Sequence, residues 1–420
     1  MTKILYNIGI QAYTSGIKIA AFFNPKAKQW LAGRHRWQQR YRADWQRINP
    51  ERKPCVWVHC ASLGEFEQGR PVIESLRNIY PDVKILLTFF SPSGYEIRKN
   101  YAQADYVCYL PADKHANALT FIDLFQPKLS IFVKYEFWYH YLHTLQKRGI
   151  PTLLISAVFR HNQLFFKWYG GLFRRLLAGL THIFTQDQAS ANLLQQLHLQ
   201  NFTTAGDTRI DRVVQIARQA TAFPIIQTFS NNYKILIIGS SWQPDEAILL
   251  PFVNQYLPDD WKVIIAPHDI SANHIQQIEQ GLQIPYLRYS KMTQENSGGV
   301  KVLIVDNIGM LSSLYQYGRI AYIGGGFGTG IHNTLEPITF GLPVIFGPKF
   351  QKFAEAVQLQ QQGGAFAIEH LAQLRAQFDF LQDEAQYLQA SYIAKQYVLE
   401  NQGATAKIVE FIQKQDFLHN

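Results

Sequence analysis

Three cysteines in 420 residues are too few, and odd in number, for a disulfide framework, and Cys55, Cys60 and Cys108 lack the paired spacing of a structural metal site. All three fall in short apolar runs, so they read as buried reduced thiols of a chain facing a reducing, cytoplasmic compartment. No G-x-G-x-x-G follows a strand and no glycine run ends in the lysine of a P-loop, which argues against a dinucleotide dehydrogenase or an NTPase. His268 and His332 have no H-x-x-x-H partner, and no acidic pair of the D-x-D kind stands at a strand end. Neither a metal nor an organic cofactor is therefore expected. A short apolar core ending in a small-residue cleavage site, the mark of a secretory signal, is also missing.

Acidic residues are the scarcer charge, 31 against 40 basic ones, and the net +9 points to an anionic partner without separating nucleic acid, lipid and phosphorylated substrate. An apolar content of 47% marks a globular chain, and its length exceeds what one hydrophobic core usually supports. Ile4 to Phe23 is mostly apolar but interrupted by Asn7, Gln11 and Lys18, and its apolar positions trace no single clean stripe. Its length approaches the ~20 residues needed to cross a bilayer. Behind it, Lys26, Lys28, Arg34, Arg36, Arg40, Arg42 and Arg47 are interleaved with Trp30, Trp37, Tyr41 and Trp45. Basic residues among aromatics suit an anionic cytoplasmic leaflet, so residues 1–50 are expected to associate with membrane rather than nucleic acid. A packed helix with a solvated basic face is the alternative.

From residue 55 onward, apolar runs alternate with helix-like segments, the pattern of parallel sheets built from βαβ units. The first series has strand candidates at 55–60, 84–90, 106–110, 129–133, 152–158 and 182–185; the second has them at 234–239, 262–267, 302–305, 320–324 and 343–346. The expected fold is α/β, with two Rossmann-like domains, 51–220 and 233–390, facing a cleft. A polar linker at 221–232 joins them, and a C-terminal helix in 391–420 is expected to return to the first domain.

Several loops follow these strands, where open parallel sheets take their ligands. Ala61-Ser62-Leu63-Gly64-Glu65 presents Glu65 either as a general base beside flexible Gly64 or as a first-turn residue favoured by the helix dipole. Lys134-Tyr135-Glu136-Phe137-Trp138 offers Glu136 for catalysis or for structure. Gly206-Asp207-Thr208-Arg209 offers Arg209 to a leaving phosphate, or to an ion pair with Asp207 or Asp211. In the second series, Gly324 to Gly330 is a run whose amides, including those of Gly325 and Gly326, can approach a phosphate, followed by His332-Asn333-Thr334-Leu335-Glu336-Pro337. Glu336 stands where nucleotide-sugar transferases hold ribose hydroxyls, or it stabilises a helix start. Ala266-Pro267-His268-Asp269 and Asp306-Asn307-Ile308-Gly309-Met310 end two further strands.

In this order, the Ser-Leu-Gly-Glu loop, Glu136-Phe137-Trp138, Gly-Asp-Thr-Arg, Ala-Pro-His, Gly309-Met310 and the Gly-rich run with Asn333 to Pro337 resemble the Kdo (3-deoxy-D-manno-octulosonic acid) transferases of lipopolysaccharide synthesis. The resemblance covers roughly residues 1 to 360. It implies a GT-B glycosyltransferase at the cytoplasmic face of the inner membrane, inverting and metal-independent. It also implies CMP-Kdo as donor and the lipid A precursor lipid IVA as acceptor. By matching position, Glu65 becomes the general base, with Glu136 and Arg209 assisting the transition state. The nucleotide would lie against Pro267, His268, Gly309, Met310, Leu311, Gly325, Gly326, Asn333, Thr334, Leu335 and Glu336. Three positions depart from the family: Arg209 where many members have Lys, His268 where many have Arg, and Lys134 at a position often acidic.

Overall fold

The computed structural model describes residues 2–293 and 295–418. Two compact units emerge: one runs to Asp211 and takes back the chain from Gly403 onward, and the other is Arg212–Gln402.

The first unit carries β1 (Cys55–Cys60), β2 (Lys84–Phe89), β3 (Tyr106–Tyr109), β4 (Leu129–Val133), β5 (Thr152–Ala157), β6 (His182–Thr185) and β7 (Phe202–Thr204). These form one parallel sheet in the order β3-β2-β1-β4-β5-β6-β7. The order reverses between β1 and β4, and such a switch point opens a crevice beyond the strands' carboxyl ends. Every residue of β1, Cys-Val-Trp-Val-His-Cys, is buried, because helices cover both faces of a parallel sheet. Cys55, Cys60 and Cys108 are free thiols inside these strands.

Helices α1 (Thr2–Ala20), α2 (Pro25–Arg34) and α3 (Trp37–Ile48) precede β1, and α4 (Leu63–Ile79) follows it. Trp37, Tyr41 and Trp45 recur at four-residue spacing along α3 and pack into the core with Trp57, Phe121 and Phe125. These aromatics, expected at a membrane surface, therefore serve the interior. Lys26, Lys28, Arg36, Arg40, Arg42 and Arg47 stay exposed. Arg34 turns inward: its guanidinium donates to the carbonyls of Leu110 (2.8 Å) and Phe90 (2.7 Å) and lies 3.8 Å from the Trp30 ring centroid. Along α1, Tyr6, Ile10, Thr14 and Ile17 are the half-buried positions, while Ile4, Leu5, Ile8 and Ile19 are exposed. Among the described residues no helix is long and apolar enough to cross a membrane.

The last helix, Ala404–Lys414, buries Ala404, Ile408 and Ile412 against Phe66, Val72, Ile73 and Leu76 of α4. Its first turn is held by Asp211, whose carboxylate accepts from the Gly403 and Thr405 amides at 2.5 and 2.6 Å.

In the second unit, β8 (Lys234–Ser241), β9 (Trp261–Pro267), β10 (Tyr286–Arg288), β11 (Val302–Ile304), β12 (Ile320–Ile323), β13 (Val344–Phe346) and β14 (Ala365–Ala367) form a parallel sheet in the order β10-β11-β9-β8-β12-β13-β14. Here the order reverses between β8 and β12. Within the segment expected as linker, Pro224–Ser230 is a helix that buries Ile226 and Phe229.

Candidate functional site

Both switch points carry residues singled out from sequence, whereas Arg209 follows the edge strand β7 and Gly309, Met310 and Leu311 follow β11. In the first unit, Glu65 sits in the first turn of α4 directly after β1, with Ser62 as N-cap. The Ala61 N–H donates to Glu65 Oε2 at 2.5 Å, so one carboxylate oxygen closes the helix start much as a capping box does. Burial, then the charge of Glu136, push the Glu65 carboxyl up to about 8, while the Ala61 amide and Lys134 pull the other way. Glu136, 8% exposed, follows β4, the neighbour of β1. Its Oε2 accepts from Trp138 Nε1–H at 2.5 Å and lies 3.2 Å from His59 Nε2. His59 Nδ1 lies 2.8 Å from Thr88 Oγ1, which also accepts from Trp57 Nε1–H at 2.8 Å. Lys134 reaches this turn with φ +67°, a left-handed conformation uncommon outside glycine, while its N–H donates to the Ile155 carbonyl at 2.9 Å.

Arg209 opens the helix Thr208–Arg218. Its Nε and Nη2 donate to Asp207 Oδ2 at 2.8 and 2.6 Å, and its backbone N–H to Asp207 Oδ1 at 2.9 Å. Of the two ion pairs open from sequence, the structure forms the one with Asp207; Asp211 serves the C-terminal helix instead. Thr208 Oγ1 donates to the Gln68 carbonyl at 2.6 Å, which ties this loop to α4.

In the second unit, Trp242, His268 and His332 meet beyond β8, β9 and β12. Trp242 stacks on His268 with centroids 4.3 Å apart, His268 on His332 at 4.5 Å, and Trp242 Nε1–H donates to His332 Nε2 at 3.0 Å. A nitrogen that accepts this bond carries no hydrogen, and burial, with His268 alongside, holds the His332 imidazole below its ordinary range. Pro267 ends β9. Asn333 Nδ2 donates to Glu336 Oε1 at 3.0 Å, and burial raises the Glu336 carboxyl. Leu335 and Glu336 belong to a five-residue helix, Leu335–Thr339. Thr334 is fully buried, and its Oγ1 has no hydrogen-bond partner among the described residues.

The glycine run has a structural task of its own. The Gly324 amide donates to the Gly239 carbonyl and the Gly325 amide to Asp245 Oδ2, each at 2.8 Å. A Cβ on Gly324 would stand 2.1 Å from the Ser240 carbonyl oxygen, and one on Gly326 2.6 Å from Gly347 Cα. Close backbone packing thus demands these glycines, and the first two amides are already engaged. Gly309 takes φ +95°, Met310 Sδ lies 3.0 Å from Asn307 Nδ2, and Leu311 begins a short helix, Leu311–Leu314.

Sequence reasoning missed His59 and Trp242. Each had a signal: His59 is the one imidazole in an otherwise apolar central strand, three residues before the Ser-Leu-Gly-Glu loop begins, and Trp242 follows the carboxyl end of the strand that opens the second series. Among the described residues no three His, Cys, Asp or Glu side chains are grouped to hold a metal ion.

The model of a family described as 3-Deoxy-D-manno-octulosonic-acid transferase (kdotransferase) matches residues 35–212. The 3-deoxy-D-manno-octulosonic acid transferase of Chlamydia pneumoniae is 24% identical over 82% of this chain and 81% of its own length. That of Aquifex aeolicus is 27% identical over 77% and 84%. Among solved structures, UDP-GlcNAc 2-epimerase from Neisseria meningitidis superposes with a TM-score of 0.59 at 17% identity, covering 86% of this chain and all of its own. MurG from Acinetobacter baumannii gives 0.55 at 13%, covering 86% and 99%. These likenesses establish the α/β fold as GT-B. With the motifs in family order and relatives aligned over most of its length, the chain is similar to the Kdo transferases, a glycosyltransferase family.

Proposed function

We propose that the chain moves Kdo from CMP-Kdo to lipid IVA, with inversion at the anomeric carbon and without a metal ion, at the cytoplasmic face of the inner membrane. The observation that carries this reading is Glu65: a carboxylate at a switch point, pushed up to about 8 by burial and by Glu136, is basic enough to take a hydroxyl proton near neutral pH. Glu65 accepts the proton of the acceptor hydroxyl as its oxygen bonds to the anomeric carbon. The bond from that carbon to the phosphate oxygen breaks with its electron pair leaving on CMP. Such a single displacement inverts the centre. Arg209, its fork oriented by Asp207, offsets charge on the departing phosphate, and Glu136 keeps Glu65 basic.

For the nucleotide, support comes from the second unit's switch point. Pro267, His268, Gly309, Met310, Leu311 and Asn333 to Glu336 stand at or beyond the carboxyl ends of β9, β11 and β12, and the Thr334 hydroxyl, without a partner among the described residues, is a polar atom that a ligand oxygen would satisfy. For the membrane, support comes from the exposed Ile4, Leu5, Ile8, Ile19, Phe22 and Phe23, and from Trp168, 89% exposed, beside Lys167. An anionic lipid surface, rather than nucleic acid, suits that pairing of apolar and basic side chains.

The test is Glu65→Gln in the full chain. Transfer from CMP-Kdo to lipid IVA, followed by mass of the lipid product, should fall about 10²- to 10⁴-fold. CMP, but not UDP, should still raise the melting temperature of both proteins. Near-normal turnover by the variant would overturn the assignment of the base, and stabilisation by UDP alone would overturn that of the donor.

A further inference from the structure

The reading of Glu65 as base leaves unexplained why a histidine lies in the middle of the first sheet. His59 is fully buried in β1, and a buried imidazole without purpose is costly. Its surroundings fix its hydrogens. Trp57 Nε1–H can only donate, and it donates to Thr88 Oγ1 at 2.8 Å. The Thr88 hydroxyl then has its own hydrogen to place, and His59 Nδ1 at 2.8 Å is nearer than the Val58 carbonyl at 3.4 Å. With Nδ1 as acceptor, the neutral ring carries its hydrogen on Nε2, which faces Glu136 Oε2 at 3.2 Å. Trp138 Nε1 lies 3.1 Å from His59 Nε2 but only 2.5 Å from the same Glu136 oxygen, so its hydrogen goes to the carboxylate. Two donors therefore converge on one oxygen of Glu136, the arrangement that fixes a carboxylate in place.

We infer that His59, with Trp138, is a positioning residue for glycosyl transfer: the two N–H groups fix where the Glu136 carboxylate stands, and Glu136 in turn holds Glu65 as the proton acceptor. This rests on the assignment of Glu65 as base. Other ionisable groups near the pair are Lys134 and Tyr135 on the β4 turn, Cys60 on β1, Tyr6 of α1 and Glu67 of α4. Burial pushes Cys60, Tyr6 and Tyr135 up, away from neutral pH.

The direction of the effect follows. While Glu136 is anionic its charge opposes ionisation of Glu65 and raises the pH at which Glu65 loses its proton. Without the two donors the Glu136 carboxylate can turn away from Glu65, its charge opposes ionisation of Glu65 less, and Glu65 then ionises at lower pH. The experiment is kcat for transfer at saturating CMP-Kdo and lipid IVA across pH in the full chain, with His59→Phe, His59→Gln and Trp138→Phe. His59→Phe and Trp138→Phe should lower kcat about tenfold and move the acid limb to lower pH by about one unit. His59→Gln, whose amide nitrogen can stand near the Nε2 position, should restore the limb. An acid limb unmoved in both Phe variants overturns the inference, even where turnover falls. Should His59→Phe fail to fold, Trp138→Phe decides alone, because Trp138 is half-buried and lies outside the strand. Glu65→Gln assayed alongside keeps the two readings apart: if it is inactive while the limb stays put, only the positioning role fails; if it is active, the base assignment fails first.

Discussion

The two units build the same topological feature and furnish it differently. In each, strand order reverses beside the strand that opens the sheet, between β1 and β4 in one and between β8 and β12 in the other. The first switch point holds two carboxylates, Glu65 and Glu136, inside a network of buried donors. The second holds three stacked rings, a glycine turn packed backbone to backbone, and the buried Thr334 hydroxyl, which has no partner among the described residues. Parallel-sheet topology thus sets where chemistry occurs, and the side chains beyond the strand ends set which chemistry. A low-dielectric cluster of acids is suited to moving a proton, and a ring-lined shelf to holding a base or sugar.

The largest expected effect that would break this division is Glu65→Gln, with its loss of transfer at retained CMP binding. Next in size is Trp242→Ala. Removing the ring that stacks on His268 and donates to His332 should weaken CMP binding about tenfold, the scale of one aromatic stacking contact. Calorimetric titration would show it, and the acid limb of kcat at saturating donor should remain that of the parent. A Trp242→Ala acid limb displaced like that of Trp138→Phe would mean that the two sites do not divide the work as their residues indicate.

Much of this was legible before the structure. Continuous apolar runs marked the central strands of both sheets because helices bury them on both faces, and the loops after them were located by the same periodicity. The edge strands β7, β10 and β14 were not: Phe-Thr-Thr, Tyr-Leu-Arg and Ala-Phe-Ala are only partly buried and lack the run of Val, Ile or Leu that marks the equally short but buried β11 and β13. The aromatics of α3 were read as a membrane feature because a core-facing stripe and an interfacial belt use the same residue types. In α1 the missing stripe has a physical explanation: there are two. Tyr6, Ile10, Thr14 and Ile17 pack inward, while Ile4, Leu5, Ile8 and Ile19 share about a third of the circumference on another side, at about 3.6 residues per turn. Superposed in sequence, the two faces cancel any single periodicity. Glu65 and Glu136 were visible from their places after strands, whereas His59 was hidden by its membership of a core strand, where an isolated histidine is usually structural.

A smaller effect tests whether stability and chemistry are separable within the first unit. Asp211→Ala removes the acceptor for the Gly403 and Thr405 amides and should cost about 1 kcal/mol, as loss of an N-cap typically does. The melting temperature should drop by a few degrees, while the acid limb stays put. A displaced limb would show that the packing of helix Ala404–Lys414 on α4 helps set the environment of Glu65.

The smallest expected effect concerns the two faces of α1 and asks whether membrane contact also belongs to the first unit. Ile8→Ser lies on the exposed stripe, so it should leave the folding stability within about 0.5 kcal/mol of the parent. It should nevertheless weaken flotation with anionic vesicles several-fold, since each buried methylene contributes about 0.8 kcal/mol to lipid partitioning. Ile10→Ser lies on the packed face and should do the reverse, lowering stability and sparing vesicle binding while the protein is folded. If Ile8→Ser floats as the parent does, the exposed stripe is not the lipid contact. Phe22, Phe23 and the apolar residues around Trp168 and Tyr169 would then be the remaining exposed candidates for lipid contact, still within the first unit.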